Sequence, residues 1–102
     1  MYKIEFLQTA LDDLKEITLY ISKELSNPEA AYKLAETIVE KANSLSDFPY
    51  GRPVYNPLRE LEKEYRTIYI ENYNLFYWIE EEEKTVMIAR IIYSKRDITK
   101  TL

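Results

Sequence analysis

Between Glu64 and Asp97 the chain contains neither glycine nor proline and is dense in aromatic and β-branched residues. Such side chains pack best on a pleated surface, so the stretch reads as strands. Two polar breaks, Glu71-Asn72 and Glu81 to Glu83, divide it into three strands of ordinary length. Breaks that short join antiparallel neighbours, which makes a meander. In the first strand Tyr65, Thr67 and Tyr69 share one face, and Arg66, Ile68 and Ile70 the other. In the second, Tyr73, Leu75, Tyr77 and Ile79 oppose Asn74, Phe76 and Trp78. In the third, Val86, Ile88, Arg90 and Ile92 oppose Met87, Ala89, Ile91 and Tyr93. Both of those last rows are largely apolar, which predicts a central strand covered on both faces.

The residues before this stretch are patterned to cover one face of the sheet. Met1 to Leu7 alternates, with Tyr2, Ile4 and Phe6 on one side, and predicts a short strand. Thr9 is a good N-cap with Asp12 three residues on, so a helix starts there. Leu11, Leu14, Ile17, Ile21 and Leu25 recur at helical spacing, leaving Asp13, Lys15, Glu16 and Lys23 off the stripe. Ser26-Asn27-Pro28-Glu29 breaks the helix and starts another, with Asn27 as cap and Pro28 in the first turn. Ala31, Leu34, Ala35, Ile38, Ala42 and Leu45 form its stripe, and the pair makes an antiparallel helical hairpin. The loop from Asp47 to Pro57 holds three of the four prolines and Gly51, the single glycine, which is expected to supply a positive φ. Leu58 to Lys63 reads as a helical turn or as the approach to the strand. Ser94 to Leu102 reads as a short helix or a loose tail. The expected fold is α+β in the order β-α-α-β-β-β, as a single domain over residues 1–102.

Composition narrows the chemistry. The chain has no cysteine and no histidine. Disulfides and thiolate metal sites are excluded, and the usual general base and commonest metal ligand are missing. No cofactor is expected. No apolar run approaches the ~18 residues of a membrane span, and no charged-then-apolar leader is read, so a cytoplasmic protein is expected. The net charge of −4 is unevenly spread: residues 1–51 carry five Lys and nine Asp/Glu, and residues 52–102 carry nine of each sign. Four of the latter acids are the consecutive Glu80 to Glu83. A basic sheet face on an acidic protein is one reading, and scattered solvated charge is the other. Ten tyrosines and one tryptophan on so small a chain leave aromatic surface for a partner, which would cover it with a helix or an added strand.

No phosphate loop, metal cluster or nucleophile elbow is present. The candidates that remain are cations and tyrosines near the strand ends: Arg66, Arg90, Tyr93 and Arg96 as a catalytic set, with Arg52, Arg59, Lys95 and Lys100 as binding groups. Arginine suits phosphate because its planar fork donates two parallel charge-assisted hydrogen bonds. Tyrosine stacks on a base or donates a proton. Such a set could assist 2′-hydroxyl attack on an RNA phosphate by electrostatics alone. Plainer readings stand beside these. Arg90 stands in an apolar row, where it pairs with an acid from the helices, Arg66 pairs with a neighbouring Glu, and Tyr93 packs. In a regular strand Arg90 and Tyr93 also point to opposite faces, and only a bulge between them brings them together.

The order of these pieces resembles the RelE/ParE family of toxins from bacterial type II toxin–antitoxin pairs. The segments that carry the resemblance are Ala10 to Ile21; Ala30-Ala31 with Ile38, Leu45, Pro49 and Gly51-Arg52; Arg66 to Ile70; Asn72 to Tyr77; and Ile88 to Asp97. The resemblance implies a toxin with a cognate antitoxin wrapped around it, in a hetero-oligomer. It also implies one of two targets: mRNA in the ribosome for RelE-like members, or DNA gyrase for ParE-like members. Arg66 and Arg96 match basic positions of the nuclease set. Ile68 stands where a lysine is common, Asn74 where an arginine is usual, and Tyr93 where many members have histidine. The hairpin and the Ala-Ala…Pro-x-Gly-Arg pattern resemble the ParE-like branch. A ParE-like growth inhibitor is therefore the leading expectation. A ribosome-dependent, metal-independent endoribonuclease is the alternative, and an inert relic or plain interaction domain a third.

Overall fold

The computed structural model describes residues 1–56 and 62–96. Strand β1 (Lys3–Phe6) leads into helix α1 (Gln8–Leu19), which continues as a π-helical turn over Tyr20–Glu24. Helix α2 (Pro28–Asn43) follows, then 3-10 turns at Ser44–Ser46 and Pro49–Gly51. Strands β2 (Arg66–Ile70), β3 (Tyr73–Glu80) and β4 (Thr85–Tyr93) complete one sheet of order β1-β4-β3-β2. The meander is antiparallel throughout, and β1 joins β4 in parallel. Strand β4 is thus interior, with β3 as the other interior strand, in keeping with its two apolar rows. Leu58 to Leu61 of the stretch read as a helical turn or the approach to the strand, and the tail beyond Arg96, lie outside the described residues.

The helices cover one face. Ala10, Leu34, Ile38, Ala42 and Leu45 are buried against Ile68, Ile70, Leu75, Tyr77, Val86, Ile88 and Ile91. On α2 the stripe is as the spacing predicts, and Asn27 caps it by accepting from the Ala30 N–H at 3.1 Å. On α1 the stripe is rotated. Ala10 is fully buried, Leu14, Ile17 and Ile21 pack on the core, and Leu11 and Leu25 are exposed. For Leu11 the difference lies at the start of the helix. Leu7, not Thr9, is the N-cap residue, and it makes no side-chain cap. Asp12 instead accepts from the Gln8 side chain at 2.9 Å.

Thr9 is diverted to the sheet. Strand β1 stops opposite Ile88, so β4 continues from Ala89 to Tyr93 with no strand on that side among the described residues. An open edge leaves backbone groups unpaired. The Thr9 hydroxyl donates to the Ala89 carbonyl at 2.7 Å. One turn later on the same helix face, Asp13 accepts from the Ile91 N–H at 2.9 Å. Helix α1 thus takes over where β1 ends.

Strand β4 also carries an irregularity. Phe76 pairs with Arg90 and Tyr77 with Ile88, so Ala89 is an extra residue. Such a bulge shifts the alternation by one. Val86 and Ile88 face the helices before it, and Ile91 and Tyr93 after it. The two continuous rows expected for this strand are therefore each split at Ala89.

Gly51 does not have the positive φ expected of it. The residues in the left-handed region are Ser26, Glu71 and Lys84. Gly51 sits in a 3-10 turn, where a Cβ would stand 2.5 Å from the Phe48 ring. Close approach, not backbone handedness, explains the glycine.

The three ends of the chain path meet at Glu81, in the β3–β4 turn. Its carboxylate accepts from the Tyr2 hydroxyl at 2.8 Å, from the Tyr50 hydroxyl at 2.7 Å, and from the Lys84 ammonium. These donors, Lys84 first, hold its pKa down at about 2. A depressed carboxylate pKa stabilises the fold fully above the ordinary value near 4.3, and this stabilisation fades as pH falls toward 2. The thermal midpoint is expected to drop across that window. Glu81→Gln should flatten part of the drop in a pH series of melting curves and leave the midpoint near pH 9 less affected by further titration.

Candidate functional site

A groove of about 620 Å³ lies between the end of the helical hairpin and the far end of the sheet. One wall is Ile17, Tyr20, Ile21 and Leu25, with Ala30 and Leu34 of α2. The other is Glu71 and Asn72 of the β2–β3 turn, Tyr73 of β3, Tyr93 of β4, and Arg96. The π-helical turn shapes the first wall. Leu25 N–H bonds the Tyr20 carbonyl at 3.3 Å and Asn27 N–H the Ile21 carbonyl at 3.1 Å, wider loops than an α-helix makes. Tyr20 and Leu25 consequently stand more than half exposed at the rim.

The second wall is braced by Asn72, whose carbonyl accepts from the Ser94 N–H at 2.9 Å and its hydroxyl at 3.0 Å. Tyr73 and Tyr93 lie with ring centroids 5.7 Å apart. Burial, then the neighbouring Tyr93, Tyr20 and Glu71, push the Tyr73 phenol up, so it remains a neutral hydroxyl near neutral pH. The groove is apolar and aromatic, with Arg96, Glu16 and Glu71 as charged members. It suits an apolar partner segment with polar flanks.

The sequence candidates do not converge. Arg90 is tied to Asp13 through Nε to Oδ2 at 2.7 Å and Nη2 to Oδ1 at 3.0 Å, with its side chain 23% exposed and that of Asp13 11%. The hydrogen bond that Arg90 donates to Asp13 raises the Arg90 pKa, against a smaller desolvation. The ion-pair reading of Arg90 is the one observed. The bulge at Ala89 precedes Arg90, so Arg90 and Tyr93 still project from opposite faces.

Arg66 is also engaged within the fold. It donates to the Arg52 carbonyl at 2.7 Å and the Tyr50 carbonyl at 3.4 Å, lies over the Tyr50 ring at 5.2 Å, and pairs with Glu64 at 3.6 Å. Beside it the buried Tyr77 hydroxyl donates to the Pro49 carbonyl at 2.6 Å. Burial pushes that phenol up to about 12, with Arg66 and Arg52 pulling against it. The two side chains pin the 49–52 loop to the sheet.

Arg66 pairs with Tyr77 and Tyr93 with Tyr73, four residues along β3 and one strand to either side. At ordinary strand spacings this puts Arg66 and Tyr93 about 16 Å apart. Of the six candidates among the described residues, Tyr93 and Arg96 line the groove. Lys95 and the Arg52 side chain are exposed elsewhere, and Arg59 and Lys100 lie outside the described residues. The groove's own aromatic members, Tyr20 and Tyr73, were legible only as part of a tyrosine-rich composition. Nothing in the stripe Ile17, Ile21, Leu25 announces the π-helical turn.

A strand, a helical hairpin and an antiparallel meander, with a groove where hairpin and sheet ends meet, make an α+β domain of RelE/ParE-like fold. The chain belongs to the ParE toxin family of type II toxin–antitoxin systems, whose family model matches residues 4–98. Among solved structures it is similar to the chromosomal ParDE system of P. aeruginosa, at 24% identity over 93% of this chain and 98% of that one, with a TM-score of 0.74. It is also similar to the RelBE2 toxin–antitoxin complex of Mycobacterium tuberculosis, at 27% identity over 90% and 96% of the two chains, with a TM-score of 0.64. The intact E. coli RelBE complex shares the fold at 18% identity, covering 94% of this chain and all of that one, with a TM-score of 0.60. Among curated proteins none matches the chain. Among the described residues no helix is long and apolar enough to cross a membrane.

Proposed function

We propose that this toxin inhibits growth by binding a protein target, DNA gyrase, and that a cognate antitoxin neutralises it by laying an apolar segment along the groove. The observation that carries the first part is the occupancy of its strand arginines. Arg90 is held by Asp13 and Arg66 by loop carbonyls, on different faces and far from Tyr93. A nuclease stabilising one phosphate needs those groups within hydrogen-bond reach of one another's ligand. The antitoxin part is supported by the exposed Tyr20, Leu25 and Tyr93 around the groove and by relatives solved as toxin–antitoxin complexes.

A ribosome-dependent endoribonuclease is the second reading, favoured by one observation: Tyr93 and Arg96 share the groove. Expression of the chain alone in bacteria, with 5′-end RNA sequencing and a DNA-damage reporter in the same culture, separates the two. Double-strand breaks and an induced damage response with intact transcripts are expected. New cuts within translated codons, lost in Tyr93→Ala and Arg96→Ala, would overturn the proposal.

A further inference from the structure

A second cleft lies at the opposite end of the sheet from the groove. Tyr50, Glu62, Lys63, Glu64, Arg66, Trp78, Ile79 and Glu80 line it, but four of them carry the argument. The Lys63 ammonium stands over the Trp78 ring at 5.3 Å and 3.5 Å from the Glu80 carboxylate. The Trp78 indole N–H donates to the same Glu80 oxygen at 2.8 Å, and this bond, followed by Lys63, keeps Glu80 ionised below the usual carboxylate range. Tyr65 stands edge-on to the indole at 5.8 Å and fixes its plane. An aromatic face beside an oriented carboxylate is the arrangement that recognises an alkylammonium or guanidinium group.

The site already holds such a group, and holds it loosely. The Lys63 side chain is 47% exposed and that of Glu80 43%. Exposed ion pairs and exposed cation–π contacts are weak, so another cation can take this place at small cost. Charge decides the sign of the visitor. Glu62, Glu64 and Glu80 outnumber Lys63 and Arg66, and Arg66 is committed to the Arg52 and Tyr50 carbonyls. With Lys63 displaced, the cleft carries a clear negative excess that repels phosphate. Its volume of about 220 Å³ falls below the roughly 300 Å³ of the smallest ligand pockets, which suits one long side chain and not a whole metabolite.

We infer that the Trp78–Glu80 cleft is a docking site for a lysine or arginine side chain of a protein partner, with Lys63 as its internal placeholder. The inference does not depend on the toxin's target, and its test does not use toxicity. Trp78 is the only tryptophan of the chain, so its emission reports on the cleft alone. The full chain is titrated with N-acetyl-lysine amide, with the uncharged N-acetyl-norleucine amide as control. A saturable emission change is expected with the lysine derivative and none with the control. Lys63→Met should tighten the apparent Kd about fivefold, the sum of one exposed cation–π contact and one exposed ion pair. Glu80→Gln should weaken it by a similar factor, with the far-UV circular dichroism of both variants unchanged. A flat titration in Lys63→Met, an equal response to the norleucine control, or saturation by a short single-stranded oligonucleotide in place of the lysine derivative would overturn the inference.

Discussion

Asp13→Ala is expected to lower the unfolding free energy by about 3 kcal/mol, the low end of what breaking a buried ion pair costs. The reason is double. Asp13 holds the Arg90 guanidinium through two hydrogen bonds and also caps the Ile91 N–H on the open edge of β4. Removing it takes the carboxylate away from a largely buried guanidinium and leaves the Ile91 N–H without its acceptor, and each loss is costly. For a chain of this size the thermal midpoint should fall by roughly 12–24 °C. Asp13→Asn keeps an oxygen for Ile91 and should lose about half as much. Arg90→Met, which removes the charge while keeping an apolar stem, should also be milder than Asp13→Ala. Calorimetry on the three variants checks the order. An Asp13→Ala protein as stable as the wild type would remove Arg90 from the scaffold and return it to the list of site residues.

Arg66→Ala is expected to cost about 2 kcal/mol, since hydrogen bonds from a charged donor to a carbonyl are among the stronger ones. Its side chain is 16% exposed and bridges β2 to the Arg52 and Tyr50 carbonyls. Without it, two loop carbonyls and the Tyr50 ring lose this partner, and the 49–52 loop is held by the Tyr77 hydroxyl and the Tyr50–Glu81 hydrogen bond. Arg66→Lys keeps the charge but not the planar fork, so it should recover about half of the loss. A catalytic arginine would behave differently: alanine would abolish RNA cleavage with the melting temperature unchanged. Denaturant unfolding of both variants, beside a cleavage assay in translating extract, separates the roles.

Local pattern made most of the fold legible. The alternation in β2 and β3 puts Ile68, Ile70, Leu75 and Tyr77 in the core, and each is buried there. Asn27-Pro28 starts α2 where the capping chemistry puts it. The failures share one cause. Thr9 and Asp13 look like a cap and a solvated acid because, along the helix, that is what their types usually are. Their partners, Ala89 and Ile91, lie far away in the chain and become reachable only because β1 stops short of the end of β4. Leu25 fits the stripe by spacing and leaves the core because the π-helical turn changes the period. Gly51 answers to the Phe48 ring and not to a dihedral.

The candidate site was the less legible part for the same physical reason. Residue types could nominate Arg66, Arg90, Tyr93 and Arg96, since cations and phenols are what phosphate chemistry uses. Whether they meet depends on strand order, register and one extra residue at Ala89. The sequence alone determined the main elements, the amphipathic faces of α2, β2 and β3, and the family, because these rest on short-range periodicity and on the order of segments. Only the tertiary structure decided that Arg90 is a structural ion pair, that Arg66 is a loop brace, and that the aromatic groove and the Trp78 cleft lie at opposite ends of the sheet. Those outcomes are set by contacts between residues distant in the chain, where burial and unpaired backbone groups, and not local propensity, fix each partner.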